Sequence, residues 1–243
     1  MENKYSTDLE LSSSQWWSIT DGDQTGLDIT GDITIEVWIK LEQLPSVASL
    51  NFGLCQKGDD YPNHRGYQFS ILDNDKLGFV FEDASHNRSQ SYSTGVIVDS
   101  DDVGKWVHIA MSYDMSENKA VMYKNGSAVG VSDTETNASA IEDTAFPLVI
   151  GANYYNSAPY KYFDGLIDEF RIWDDIRTPT EIVNNYKKEL VGNEANLQGY
   201  WKFENNGNGS ANSNDLTNNG VATFAEDVPF SNLSLFISQV IIF

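Results

Sequence analysis

The chain has 243 residues, of which 40% are hydrophobic and 12% aromatic, and this is enough for a sizeable core. Asp and Glu number 36 against 15 Lys and Arg, which gives a formal net charge of -21. This charge repels phosphate groups and argues against nucleic acid and anionic membrane surfaces as partners, whereas it is compatible with Ca²⁺, a hard cation that takes oxygen ligands.

Apolar and polar residues alternate along several short segments, which is the period-two pattern of half-buried strands. Cys55 lies in the apolar run 52–55 and is predicted to be a buried small hydrophobe rather than a nucleophile. Asn125 and Gly126 lie between two strand-like runs and predict a tight hairpin, because both residue types tolerate positive φ. In chain order, the predicted strands are residues 33–39, 67–72, 77–81, 106–113, 120–124, 127–131, 148–150, 166–173 and 197–204.

One segment, in the C-terminal half, has the pattern of a helix. Residues 178–181 (TPTE) match a capping box with proline at the first helical position. Ile182, Val183, Tyr186 and Leu190 follow on one face at helical spacing, and Gly192 is predicted to end the helix. About a dozen strands with one short helix indicate an all-β fold of two packed antiparallel sheets.

The ends of the chain and its few Cys and His residues limit the organisation further. One Cys and three His supply neither an intrachain disulfide nor a Cys/His zinc cluster. The first residues lack the apolar stretch of a signal peptide, which predicts either a cytoplasmic protein or one whose signal and neighbouring domains lie outside this segment. The apolar run 233–243 is too short to span a bilayer, so no membrane insertion is expected, and the tail 229–243 is either a last strand or part of a neighbouring domain.

Six segments resemble, in order, the laminin G-like and concanavalin A-like jelly-roll domains of the lectin/glucanase type. The resemblance covers residues 9–224 and implies one jelly-roll β-sandwich over residues 1–228, of a kind found mostly in secreted or cell-surface proteins. Such domains usually bind glycans or proteins, and many contain a structural Ca²⁺. The matching segments are 34–39 (TIEVWI), 104–113 (GKWVHIAMSY), 123–126 (YKNG), 150–152 (IGA) with 162–173 (YFDGLIDEFRIW), 180–182 (TEI) and 199–204 (GYWKFE).

Asp168 is the sharpest single candidate for a metal ligand. Strand alternation predicts that it shares a face with Leu166, Phe170 and Ile172, where a carboxylate is costly to bury unless it is paired or binds a metal. The alternative is a hydrogen-bond anchor or a salt bridge to a nearby Lys or Arg.

The resemblance implies that Asp168 binds structural calcium together with main-chain carbonyls and a residue near the N-terminus. The family has an Asp-Gly near the end of its N-terminal strand, whereas this chain has residues 10–14 (ELSSS) there. Glu10 or the Ser13 carbonyl is the substitute we expect, and Asp23 is a further possible contributor.

Two polar, aromatic loops are the candidate ligand-binding sites. Sugar sites need flat aromatic faces together with groups that fix hydroxyls, and both loops supply them. The alternative is that the tyrosines of the second loop only cover the edge of the core. The candidate residues are Asp59, Asp60, Tyr61, Asn63 and Arg65 in the first loop, and Tyr154, Tyr155 and Tyr160 in the second.

A catalytic role is not predicted. Related jelly-roll glycosidases have a Glu-x-Asp-x-x-Glu cluster on one strand, and none of the acidic clusters of this chain has that spacing. There is also no Gly-x-Ser-x-Gly nucleophile elbow. The sequence favours a calcium-stabilised module that binds a carbohydrate or glycoprotein, within a longer secreted or cell-surface protein. The alternatives are a structural or protein-interaction spacer of an adhesin and, less favoured, a glycoside hydrolase.

Overall fold

The computed structural model describes residues 3–61 and 64–230, and this part of the chain is rich in strands. Numbered along the chain, the strands are β1 (Ser6–Leu9), β2 (Trp16–Ile19), β3 (Ile33–Leu41), β4 (Phe52–Asp59), β5 (His64–Ile71), β6 (Leu77–Glu82), β7 (Arg88–Ser93), β8 (Trp106–Asp114), β9 (Lys119–Lys124), β10 (Ser127–Val129), β11 (Val131–Thr136), β12 (Leu148–Ile150), β13 (Asn153–Tyr155), β14 (Ala158–Tyr160), β15 (Gly165–Trp173), β16 (Leu197–Trp201), β17 (Thr217–Asn219) and β18 (Thr223–Ala225).

The strands form two large antiparallel sheets that pack face to face. Sheet A has the order β10-β9-β8-β3-β15-β1-β18, with β16 also paired to β15, and sheet B has the order β11-β7-β6-β5-β4-β12-β2-β17. Strands β13 and β14 form a separate hairpin. The chain crosses between the sheets several times, and the predicted two-sheet jelly-roll sandwich is confirmed.

The core lies between the sheets and follows the period-two pattern of the sequence. Ile35 and Val37 of β3 are fully buried there, in the same core cluster as Phe69 and Phe79 of sheet B. Burying each such side chain stabilises the fold by about 1.5–3 kcal/mol. Cys55 is buried in the same core, as predicted, and burial raises the pKa of its thiol.

The predicted hairpin at Asn125-Gly126 is confirmed. It joins β9 to β10, and its two residues have φ of 49° and 78°. Both values lie in the left-handed region that the favoured two-residue hairpin turn requires.

The described residues contain two short helices, α1 (Pro45–Ala48) and α2 (Pro179–Asn185). The capping box predicted for α2 is present, because Thr178 accepts from the Glu181 backbone and the Glu181 side chain accepts from the Thr178 backbone. Helix α1 was not predicted. No helix in the described ranges is long and apolar enough to cross a membrane.

The prediction that α2 continues to Leu190 is wrong, and its C-terminal carbonyl groups show why. Trp38 Nε1 donates to the Tyr186 carbonyl at 2.7 Å, and Arg171 donates to the carbonyls of Asn185 and Lys188. Side chains of sheet A thus bind the carbonyls at the end of the helix, so the chain leaves the helical path and runs across the outer face of sheet A.

A buried ionic network lies on the outer face of sheet A, beneath α2 and the segment after it. Arg171 is 3.5 Å from Glu36 and 2.6 Å from Glu169, and all three residues are about 1% exposed. Glu36 also accepts from Trp173 Nε1 at 3.0 Å, and Tyr200 OH donates to Glu169 at 2.6 Å. These charged groups are therefore covered from solvent and paired with one another.

A bulge in β15 reverses the predicted direction of Asp168. The register with β3 shifts between Asp168 and Arg171, and Glu169 has φ of 50°. Ile167, Phe170 and Ile172 therefore line the core, whereas Asp168 points to the other face of the sheet. The prediction that Asp168 shares a face with Phe170 and Ile172 is wrong, because simple alternation does not survive a bulge.

Candidate functional site

The two predicted ligand loops meet at the C-terminal end of β4. Asp60 donates its backbone N–H to the Tyr154 carbonyl at 3.0 Å. Gln56 joins the loops, since its side chain accepts from the Tyr154 N–H at 3.0 Å and donates to Asp60 Oδ1 at 2.9 Å. Segments almost 100 positions apart in sequence thus form one surface.

Asp60 organises the polar centre of this surface. Arg65 Nε is 2.6 Å from Asp60 Oδ1, and Tyr160 OH donates to Asp60 Oδ2 at 2.5 Å. Arg65 also reaches Glu82 at 3.0 Å. Burial and the Asp60 carboxylate raise the pKa of Tyr160, so its hydroxyl stays protonated and donates to Asp60.

A cleft of about 240 Å³ opens next to this centre, on the outer face of sheet B. Its floor consists of outward-facing positions of β5, β6 and β7, and its lining is mostly polar. The lining residues are Asn51, Asp60, Arg65, Gln68, Ser70, Leu72, Gly78, Val80, Arg88, Gln90, Tyr92, Tyr160 and Lys161.

Asp60, Arg65 and Tyr160 are predicted ligand residues that the structure brings together at this cleft. Gln68 and Gln90, which also line it, were not predicted. Alternate residues of β5 and β7 face the core, and the polar residues between them could have been recognised from the sequence as facing outward. A polar side chain at the outward position of a central strand is exposed on the face that a ligand would contact.

Three tyrosines form a row that leads to the cleft. The ring centroids of Tyr61 and Tyr155 are 5.7 Å apart, and those of Tyr155 and Tyr160 are 5.8 Å apart. Tyr61 is 52% exposed and Tyr155 is 48% exposed, so their ring faces are accessible to a ligand.

Two other predicted ligand residues form the scaffold of the loops instead. Asp59 is 1% exposed, and its carboxylate accepts from the backbone N–H groups of Asn156, Ser157 and Tyr61. Tyr154 packs towards Trp16, with ring centroids 6.4 Å apart. Asn63 lies outside the described residues.

Asp168 is fully buried and is held by residues other than those predicted. Its Oδ2 accepts from Asn3 Nδ2 at 3.0 Å, and its Oδ1 accepts from the Glu169 N–H at 2.7 Å. Burial and the charge of Glu169 raise the pKa of Asp168 well above its ordinary value, and the charge of Glu204 adds to this.

The oxygens near Asp168 fit a hard cation. Asn3 is 3% exposed, and its Oδ1 is buried without a hydrogen-bond partner. Glu204 lies close by and accepts through Oε1 from the Lys4 N–H at 2.8 Å. Two carboxylates and an amide oxygen are the ligand types that Ca²⁺ takes.

Glu10 and Ser13 do not join Asp168. Glu10 lies in a separate acidic group with Asp8 and Glu42, whose carboxylate oxygens come within 4.8 Å of one another. Ser13 is exposed in a 3₁₀ turn and donates its N–H to the Glu10 carbonyl at 3.1 Å.

Asp23 is likewise occupied elsewhere. It ends a 3₁₀ turn and accepts from Thr20 Oγ1 at 2.6 Å. Asp21 and Asp28, which flank it, both lie 2.8 Å from Lys57. The structure therefore does not gather the four predicted metal residues into one site.

The chain is similar to a known protein family. A laminin G family model, described as the concanavalin A-like lectin/glucanases superfamily, matches residues 11–183. No curated protein sequence matches the chain.

Several solved structures share the fold at low sequence identity. A candidate carbohydrate-binding protein from Bacteroides ovatus has a TM-score of 0.63 and 18% identity, over 93% of this chain and 60% of that one, so this chain spans little more than half of its length. A heptameric SAP-like pentraxin from Limulus polyphemus has a TM-score of 0.62 and 10% identity, over 91% and 94% of the two chains. The CBM40 of the Ruminococcus gnavus IT-sialidase, bound to α2,6-sialyllactose, has a TM-score of 0.50 and 12% identity, over 76% and 97%.

Proposed function

The chain belongs to the concanavalin A-like lectin/glucanases superfamily, and we propose that it is a non-catalytic carbohydrate-binding module that binds glycan in the cleft on the outer face of sheet B. The observation that carries the proposal is the cleft itself, where a polar floor meets an exposed row of tyrosines. Amide, carboxylate and guanidinium groups suit sugar hydroxyls, and tyrosine rings suit the apolar faces of sugar rings.

Two of the similar structures support this proposal. The Ruminococcus gnavus module was solved with sialyllactose, and the Bacteroides ovatus protein is described as a candidate carbohydrate-binding protein. In the same proposal, the chain is part of a longer extracellular or cell-surface protein whose other domains are its covalent neighbours.

The direct test is a glycan array followed by titration calorimetry with the best ligand, in buffer that contains calcium. Tyr155→Ala and Gln90→Ala should each weaken binding about tenfold, which corresponds to a loss of about 1.4 kcal/mol and is expected where a side chain is one of the few that dominate binding. Val183→Ala is the matched control, because Val183 is 51% exposed on α2 and lies away from the cleft.

Two outcomes would overturn this proposal. If no glycan binds, or if binding is unchanged in both Tyr155→Ala and Gln90→Ala while the fold is intact, the spacer hypothesis replaces it. Release of reducing ends from a bound glycan would contradict the non-catalytic assignment.

We also propose that a structural calcium ion binds at Asp168, with Asn3 Oδ1 and Glu204 as the neighbouring oxygen donors. The support is the buried carboxylate beside an amide oxygen that has no partner. A cation there would offset the cost of an ionised buried carboxylate.

Thermal unfolding with calcium and with excess chelator tests this site. Calcium at a hundredfold excess over Kd should stabilise the fold by about 2.7 kcal/mol, which corresponds to a Tm increase of roughly 5–11 °C for a chain of this size. In Asp168→Asn the calcium effect should disappear. In chelator this variant should be at least as stable as the wild type, because a group whose folded pKa is raised disfavours folding once it is ionised at neutral pH. Identical wild-type curves, or a calcium effect that survives in Asp168→Asn, would show that Asp168 is only an anchor.

A further inference from the structure

Two histidines and a glutamate come together where three segments meet beside the start of β5. His64 is the first residue of β5, His86 lies in the turn between β6 and β7, and Glu142 lies between β11 and β12. His64 Nδ1 is 3.0 Å from Glu142 Oε1, and the ring centroids of the two histidines are 5.4 Å apart. One ligand atom from each of the three residues lies within 4.8 Å of the others.

The backbone around Glu142 and His86 is fixed by hydrogen bonds. Glu142 donates its N–H to the Glu82 carbonyl at 2.8 Å, which ties it to the end of β6. The turn is held by Asp83, whose carbonyl accepts from the His86 N–H at 2.7 Å and whose carboxylate accepts from the Asn87 N–H at 3.0 Å.

The ring of His64 is also oriented. It stacks on Phe146 with centroids 6.0 Å apart and an interplanar angle of 30°. The backbone of Glu142 and His86 and the ring of His64 are therefore held in place, which favours metal binding.

Two further observations point to a ligand at this cluster. Glu142 Oε2 is buried and has no hydrogen-bond partner, and the Glu142 side chain as a whole is only 12% exposed. The His64 side chain is 37% exposed, so solvent has access to the donor atoms from one side. An unsatisfied carboxylate oxygen beside an open approach is suited to a cation that enters from solvent.

We propose that His64, His86 and Glu142 bind a divalent transition-metal ion, with Zn²⁺ as the representative ion. Imidazole nitrogen favours zinc and its neighbours in the periodic table, whereas Ca²⁺ takes oxygen ligands, so this site is chemically distinct from the one at Asp168. Two His and one Glu supply three ligands, and the exposed side leaves the fourth position to water or an external group. In a tetrahedral zinc site the donors lie about 3.4 Å apart, so the donor atoms, which lie within 4.8 Å of one another here, would move closer together on binding.

The spacing of these three residues in the sequence does not predict that they form a cluster. The single cysteine excludes a Cys/His cluster, and the third ligand comes from a glutamate 78 positions after His64. The contact between them depends on the pairing of β4 with β5 and on the return of the chain before β12.

Titration calorimetry of the full chain with zinc chloride, in excess calcium, tests the proposal. Excess calcium occupies the acidic surface and the site at Asp168, so the remaining heat reports on nitrogen-containing sites. The wild type should bind one zinc ion. His86→Asn, which keeps a residue type that tolerates the positive φ at this position, and Glu142→Gln should each weaken zinc binding at least tenfold.

Glu117→Gln is the matched control. It removes one negative charge from an exposed turn between β8 and β9, and zinc affinity should not change. Melting curves without zinc should show that all three variants are folded. With cobalt in place of zinc, the wild type should give the visible absorption of a four- or five-coordinate ion, and His86→Asn should lose it.

The proposal is overturned by the absence of zinc binding in the wild type, or by binding that is equal in the wild type, His86→Asn and Glu142→Gln. The second result would mean that zinc binds to groups outside this cluster. Neither result bears on glycan binding or on the calcium site, since the readout requires neither.

Discussion

The two sheets share one core, but their outer faces differ in how far polar residues are covered from solvent. On sheet A, helix α2 and the following segment cover Arg171, Glu36 and Glu169, and these charges are paired with each other. On sheet B, Gln90 and Arg88 line a cleft that is open to solvent. A buried charge needs a partner within the fold, whereas an exposed polar group remains available to a ligand.

The buried charges of sheet A form a structural network, whereas the exposed polar groups of sheet B form a candidate binding surface. Arg171 donates to carbonyls at the end of α2 while it pairs with two carboxylates, so it holds the cover onto sheet A. At the cleft, Arg88 pairs with Glu135 in an ion pair whose side chains are 42% and 37% exposed. Arginine therefore has a structural role where it is buried on sheet A and a candidate binding role where it is exposed on sheet B.

The largest effect is expected from Arg171→Leu on sheet A. The substitution leaves Glu36 and Glu169 buried without their cation and releases the end of α2, and loss of one partner of a buried pair costs about 3–5 kcal/mol. The Tm should fall by roughly 6–20 °C in a thermal melt. A decrease of less than about 2 °C would show that the buried network does not hold the cover in place.

Acid should weaken the same network through Glu36. Burial raises the pKa of Glu36, but the charge of Arg171 and hydrogen bonds with His108 and Trp173 lower it, to about 2 from the ordinary 4.5. Since the folded pKa is depressed, the ionised carboxylate stabilises the fold fully above about pH 4.5, and this contribution is lost as the pH falls towards 2. At 1.36 kcal/mol per pH unit, the loss amounts to about 3 kcal/mol.

Chemical unfolding of the wild type and Glu36→Gln between neutral pH and pH 3 measures this contribution. The variant should be less stable at neutral pH, and the two curves should converge as the pH falls. Parallel curves would mean that Glu36 keeps an ordinary pKa in the fold and that other acids cause the acid sensitivity.

Features set by local pattern could be predicted from the sequence. The alternate core residues of β3 and β8, the Asn125-Gly126 hairpin and the cap at Thr178 each depend on a few neighbouring residues, and all are present. Asp60 and Tyr160, which line the cleft, lie in loops whose composition suggested sugar binding, and that role stays a prediction.

Features that depend on register or on distant contacts could not be predicted. The bulge at Glu169 has no local sequence signal, since Glu seldom adopts positive φ, and it turned Asp168 away from the face assigned to it. The contact of His64 with Glu142 and that of Asp168 with Asn3 join residues 78 and 165 positions apart. Only the assembled sheets determine such distances.

The smallest effect on stability is expected from Arg88→Leu at the cleft. An exposed ion pair contributes about 0–1 kcal/mol, so the Tm should change by no more than roughly 4 °C. Glycan affinity should nevertheless fall, because Arg88 lines the cleft and its guanidinium would donate to sugar oxygens. Melting curves and calorimetry on one preparation separate the two effects. If Arg88→Leu destabilised the fold as much as Arg171→Leu, Arg88 would be part of a buried structural network like that of sheet A. The cleft would then not be the binding site.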